Sequence, residues 1–492
     1  MAKNDTLSRL ASSICLEHLG FMPTSNSVKP PHIANGLFRE CTGEVCDTSD
    51  IHAWVVSERR RNAVPSEEII ERYQDILWNG SRESADGIKQ IRYLMEEIFN
   101  QDNTVFPDYN FSVYSISSHW LIKKRVSSEE NTGRFLFEIL SKQIDGQRSP
   151  AIQLLQQALS KDDDDLTSIL KPIIAFPSEA EKRVKTEVEY PGDEEISWDE
   201  CKQVIRTGFD RLAANIIKTG EDGNPLLVLE RMVNYAGFAL FLYLSSSHYA
   251  IYGGQRIPLL LDGGVELESI KKASEQCYTS AKKAVEDFFI QTIHLILSSE
   301  FAEEDESTCQ KWIDDMVFSN QARETSIRPA IRSYYDSFCS DGEPPLIALA
   351  HALQIAVYTF EYKVNSPSDF CRVLGVRCGL IGPKGNRANV KRFLINSFTL
   401  ETITLSILSE EDMHGIELKE LGERAREAYN LLLGTDADTD YAVLEEANIA
   451  QSTPGDLRGD LSINAQALAD TYVSMGLARR YADGVTLIGW RL

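Results

Sequence analysis

Basic residues are scarce in this chain: 50 Lys and Arg face 74 Asp and Glu among 492 residues, for a formal charge of −24. Averaged over the surface, such an acid excess repels nucleic acid and anionic lipid, which leaves phosphate contact to a local basic patch. Long hydrophobic runs are scarce too. The most apolar stretch, MVNYAGFALFLYL from Met232 to Leu244, falls short of the roughly 20 residues a membrane span needs and predicts a buried core helix. The opening MAKNDTLSRLASSICLEHLGF is polar throughout, without the apolar centre of a signal peptide. The expected setting is the cytoplasm, with no membrane partner. The nine cysteines, at 15, 41, 46, 201, 277, 309, 339, 371 and 378, form no compact disulfide framework, so buried thiols in a reducing compartment are expected.

Complete catalytic signatures are missing as well. The chain contains neither G-x-x-x-x-G-K-S/T nor G-x-G-x-x-G, and no G-x-S-x-G elbow presents a nucleophile. Ser246, Ser247 and His248 are adjacent, which does not place a hydroxyl on an imidazole. His294 precedes Leu295, Ile296 and Leu297 and reads as a histidine beside a helix core. The acid pairs Glu303-Glu304 and Asp314-Asp315 read as solvated helix faces, and the run Asp162–Asp165 as helix-terminal acids, because calcium spacing is lacking. No cofactor is expected. Whether the chain is an enzyme stays open, with a non-enzymatic role favoured.

At roughly 150 residues per domain the length suits about three domains. The expected class is predominantly α-helical and multidomain, with a C-terminal α+β module. Residues 1–65, with Lys29-Pro30-Pro31, read as an irregular arm or cap. Residues 66–190 read as a helical domain with room for short strands between Tyr109 and Val126. Residues 191–370 carry apolar periodicity for helices over 198–218, 225–246, 267–297, 309–318 and 345–362. Residues 371–396 read as a basic, glycine-rich connector, and 397–492 as the last module.

Three groups of residues have chemistry worth placing. His32, Cys41, Cys46 and His52 offer zinc-type ligands, but the Cys-x4-Cys spacing misses the usual pattern, so no metal is favoured. In YGGQRIPLLLDGG, Tyr252 to Gly264, glycines flank a short apolar run; Arg256 could pair with an anion and Asp262 could orient a hydroxyl or metal, although a tight structural connection is favoured. The connector has Arg372, Arg377, Lys384, Arg387, Lys391 and Arg392 with no acid from Cys371 to Arg392, a composition suited to phosphate, to an acidic protein surface or to this chain's own acids.

In the last hundred residues, a helix through Ile403 and Leu408 precedes a short strand at 415–418. A second helix runs from Leu421 to Leu432, and an acidic insertion around Asp436, Asp438 and Asp440 precedes a third from Ser462 to Met475. A hairpin then turns at Asp483-Gly484. This order resembles a winged helix. The resemblance implies that the third helix reads the major groove, where Asn464 and Gln466 could contact bases. The stretch SINAQALADTYVSMG nevertheless lacks Lys and Arg, and Arg479 and Arg480 fall on the wing. That departure favours protein docking over DNA reading.

The expected function is a non-enzymatic intracellular assembly or scaffold subunit with protein partners in a heteromeric complex, set in a nucleic-acid-associated or antiviral genome-defence context. One alternative is an enzyme or binder of phosphorylated small molecules using the 252–264 loop. The other is a DNA-binding regulator using the C-terminal module.

Overall fold

A computed structural model describes residues 5–23, 28, 30–46, 90, 131–159, 183–185, 187–301, 303–363, 365–383, 390–409, 411–412, 415–482 and 485–489. The helices expected between 66 and 99, the strands expected between 109 and 126, and the Asp162–Asp165 run lie outside these, Gln90 excepted. In chain order the elements are α1 (Thr6–Ser13), α2 (Pro30–Thr42), β1 (Glu44–Cys46), α3 (Thr132–Ser141), α4 (Pro150–Leu159), β2 (Arg183–Lys185), α5 (Glu200–Thr219), α6 (Pro225–Tyr252), β3 (Leu259–Leu260), α7 (Glu268–Glu300), α8 (Glu306–Asp315), α9 (Gln321–Ser340), α10 (Pro345–Ala356) and α11 (Pro367–Arg377). The C-terminal region adds α12 (Ser397–Ile407), β4 (Ile416–Glu417), α13 (Leu418–Tyr429), β5 (Leu431–Leu432), α14 (Ala437–Glu446), α15 (Leu457–Ser474), β6 (Ala478–Arg480) and β7 (Thr486–Ile488). The protein is predominantly helical.

Part of the acid excess is used in starting helices. Asp5, Asp199, Asp305, Asp436 and Asp456 each accept a backbone N–H from the first turn of the helix that follows, satisfying donors that have no partner within the helix. The acidic insertion at 436–440 is therefore a helix start. The prolines 30 and 31 likewise occupy the first turn of α2, where a missing N–H costs nothing. Within the stretch 1–65 expected to be irregular, Thr6–Leu19 and Pro30–Thr42 are helical among the described residues; α1 runs into a wider turn over Ile14–Leu19, closed by Gly20 N–H donating to Cys15 O at 2.7 Å.

At the centre lies α6, packed against α2, α4, α5, α7, α11 and α12. By length and composition it could cross a membrane, but 89% of its most apolar window is buried inside the protein. Tyr235, Phe238, Phe241 and Tyr243 are among its buried side chains. Where α2 crosses α3, a Cβ on Gly133 would stand 2.3 Å from the backbone of Gly36, so these helices touch main chain to main chain.

The helices expected in the 191–370 stretch form close to their expected limits. The helix α9 has no counterpart in the sequence reading: its interior Pro329 and its narrow buried strip of Ile327, Ile331 and Tyr335 obscure it. The connector also differs from expectation. Its first seven residues are helix, because α11 extends to Arg377; Gly375 lies within that helix, where a side chain would meet Ile381 at 2.3 Å.

The C-terminal region combines helices with a three-stranded antiparallel sheet of order β4–β7–β6. The second helix stops at Tyr429 because Asn430 adopts the left-handed conformation (φ 51°). The freed Leu431-Leu432 then pair in parallel with β3, Leu259 opposite Leu431 and Leu260 opposite Leu432. On α5, Asn215 donates to Leu405 O and Leu408 O at 2.8 and 2.9 Å, and Arg211 donates to Ile407 O at 3.0 Å. Tyr429 meets Tyr235 and Ser406 through its hydroxyl. One apolar cluster runs from Leu7 to Ile488 through all these contacts.

Candidate functional site

The glycine-flanked loop after α6 is where residues singled out in the sequence meet. Gly253 and Gly254 have φ of 78° and 114°, which turns the chain sharply out of α6. Arg256 then donates to Glu427 O at 2.8 Å and Ala428 O at 2.7 Å, among the last carbonyls of α13. Its charge sits at the negative end of that helix. Asn430 returns a hydrogen bond to Arg256 O at 3.1 Å. A guanidinium so placed fastens α13 to the loop.

Asp262 closes the other end of the run. Its carboxylate is fully buried; Oδ1 accepts from Gly264 N at 2.8 Å and Val265 N at 3.2 Å, and Oδ2 accepts from Arg392 Nε at 2.5 Å. Its own N–H donates to Phe393 O at 2.8 Å. From α15, the buried Asn464 donates to Leu261 O and accepts from Gly263 N, both at 2.8 Å. Ser274 of α7 completes the knot, donating to Leu260 O at 2.8 Å and accepting from Phe393 N at 2.9 Å. Asp262, Arg392 and Asn464, nominated for three different tasks, thus form one joint between loop, connector and third helix. Asn464 is turned inward and does not face a groove-reading surface.

The remaining basic candidates are distributed differently. Arg372 pairs with Asp369 at 3.2 Å. Lys391 donates to Pro383 O, and burial, with Arg372 nearby, lowers its pKa. Arg377 lies half-buried in the last turn of α11. Lys384 and Arg387 fall outside the described residues. On the hairpin, Arg479 is exposed and Arg480 pairs with Asp470 of α15 at 2.9 Å. The third helix begins five residues earlier than expected and so gains a basic residue, Arg458, which sits 4.7 Å above the Tyr441 ring and 3.4 Å from Asp438. The hairpin tip at Asp483-Gly484 is outside the described residues.

Of the zinc-type residues, Cys41 is buried in α2, where burial, with Glu40 adding to it, raises the thiol pKa. The side chains of His32, Cys46 and His52 lie outside the description. Among the described residues no group of three or more His, Cys, Asp and Glu is arranged to hold a metal ion. Burial also pushes the thiols of Cys15 and Cys277 up to about 12, which makes them poor nucleophiles.

Two features went unread in the sequence. Ser274 and Asn430 both fell inside expected helices, and nothing local marks their long-range bonds. His248, rejected as a base for its neighbouring serines, and His294, read as a histidine beside a helix core, line one cleft with His351.

Fold and joint together define a helical protein with an α+β C-terminal region fastened to its body. No protein-family model, curated protein or solved structure matches this chain.

Proposed function

We propose that this protein is a non-enzymatic assembly subunit whose C-terminal region works as a winged-helix-like protein-docking module. The observation that carries the reading is the exposed face of α15. Ile463, Gln466, Asp470 and Val473 recur at three- and four-residue intervals and so share one side of the helix. Ile463 and Val473 are 52% and 41% exposed, and Tyr481, just beyond β6, is 44% exposed. Apolar side chains grouped with a paired Asp470–Arg480 suit a protein surface; phosphate would call for unopposed cations.

Two further facts support this reading over its rivals. Asn464 is committed to the joint, which removes one of two base-contacting candidates. Arg256 and Asp262 are both engaged by the fold itself, which leaves the phosphate-binding enzyme without its proposed pair.

The test is isolation of the tagged full chain from its native cell. A protein partner should co-purify at constant stoichiometry, and its binding should slow amide exchange over residues 463–481 relative to the free chain. A chain that stays alone, or that binds duplex DNA with a steep inverse salt dependence, would overturn the proposal.

A further inference from the structure

Between α6, α7 and α10 a partly open cleft of about 430 Å3 gathers three of the chain's eight histidines. His248 comes from α6 and His351 from α10. Asp287, Gln291 and His294 come from α7, where steps of four and three residues put them on one face. The apolar wall includes Ile347, itself 38% exposed. None of these residues takes part in the joint or in the α15 face.

Hydrogen bonding sets the polarity of this cleft. His351 Nδ1 lies 2.6 Å from Glu343 Oε2. A carboxylate only accepts, so Nδ1 carries the proton, and in the neutral ring Nε2 remains an acceptor. Burial lowers the pKa of His248, against the pull of Asp287 and with help from Lys283. That ring is therefore neutral near pH 7 and also has an acceptor nitrogen. Asp287 takes both of its hydrogen bonds from Lys283 Nζ, at 2.8 and 2.9 Å, and that lysine side chain is 69% exposed. A carboxylate has about four lone-pair sites, and an exposed i,i+4 pair is weak, so Asp287 can accept from a ligand.

These groups present acceptors, a carboxylate and an apolar wall. The volume falls in the range of small-molecule sites, roughly 300 to 1,000 Å3, and is far larger than a bare ion needs. The absence of a metal-holding group among the described residues agrees with that. The charge of −24 favours the approach of cations.

We propose that the cleft binds a small organic cation, a primary ammonium or amidinium on an apolar or aromatic body, with its charged head on Asp287 between His248 and His351 and its body against Ile347. The head donates N–H to the Asp287 carboxylate and to the acceptor nitrogen of His248, with the His351 ring beside it. Gln291 and His294 border the same space.

Calorimetric titration of the full chain with benzamidine and benzylamine tests this, with benzoate as the charge-inverted control and zinc chloride as the metal control. Saturable one-to-one binding of a cation is expected, weakened roughly tenfold by Asp287→Asn, a change of about 1.4 kcal/mol. Lys283→Met, which removes the competing ammonium, is expected to tighten it. Lys283 is exposed and Asp287 half-buried, and an unchanged circular-dichroism melt confirms folding. Benzoate binding as well as benzamidine, zinc binding saturably in place of the cations, loss of neither cation on Asp287→Asn, or no saturable binding of either cation would each overturn the proposal.

Discussion

Replacing Arg392 with methionine removes the guanidinium from a fully buried carboxylate while keeping most of the aliphatic volume. Breaking a buried pair from one side costs about 3 to 5 kcal/mol, because the remaining charge is left without its counterpart. Here Asp262 keeps two backbone donors, at 2.8 and 3.2 Å, and the Arg392 side chain is 18% exposed. The lower end, about 3 kcal/mol, is the expected loss. Asp262→Asn should cost about 2 kcal/mol, because a charge-assisted acceptor is lost but the shape stays. The double variant should cost clearly less than the sum, with a coupling of at least 1 kcal/mol. Denaturant titration gives the cycle, and native-state hydrogen exchange localises it. Loss of about 3 kcal/mol at the joint should speed exchange at Gly263, Gly264, Val265 and Phe393 by about two orders of magnitude. Unchanged protection at these amides, together with additive single-variant costs, would mean that Asp262 and Arg392 do not lock the connector to the loop.

Arg256→Ala should destabilise the chain by about 1 kcal/mol, through the carbonyls left uncapped at the end of α13, and inorganic phosphate should protect neither protein in a thermal melt. Gly133→Ala forces a methyl against the Gly36 backbone and should cost about 3 kcal/mol or more, read as a lower denaturation midpoint. The pKa of Asp5 is lowered: burial acts to raise it, and is outweighed by Arg323 and the N–H groups of Ser319 and Ser8. A carboxyl with a lowered folded pKa adds stability above its unfolded value, about 3.9, and loses it as pH falls through the folded value. Asp5→Asn should therefore flatten the acid limb of the stability curve below about pH 4, as followed by denaturation at several pH values.

How far the sequence could be read depended on whether a signal was local. The helices α5, α6 and α7 stand out through apolar periodicity, and each forms within a few residues of its expected limits, apart from two added turns at the end of α6. Proline misled in both directions: Pro30 and Pro31 read as a turn but start a helix, and Pro329 hid one. The glycine-flanked run around β3 was legible as a short strand between turns, yet its partner β5 lies about 170 residues away. No local pattern announces a parallel pairing whose register depends on Asn430 ending α13. The joint was half legible. Asp262 and Arg392 stood out as charges beside glycines, but their destination was each other, because a buried carboxylate must find a cation and donors wherever the fold supplies them. The cleft histidines were visible only singly, since helices far apart in sequence bring His248, His294 and His351 together.

On the proposed function, the exposed side of α15 docks a protein partner. Native mass measurement of the tagged full chain from its own cell, beside the variant Ile463→Asp/Val473→Asp, tests it most directly. Both substituted positions are surface-exposed, so the variant should keep its helical spectrum and melting behaviour. The natural chain should give a heteromer of fixed mass and the variant the free subunit. A natural chain found only as an isolated monomer, or a heteromer that survives both substitutions, would contradict it.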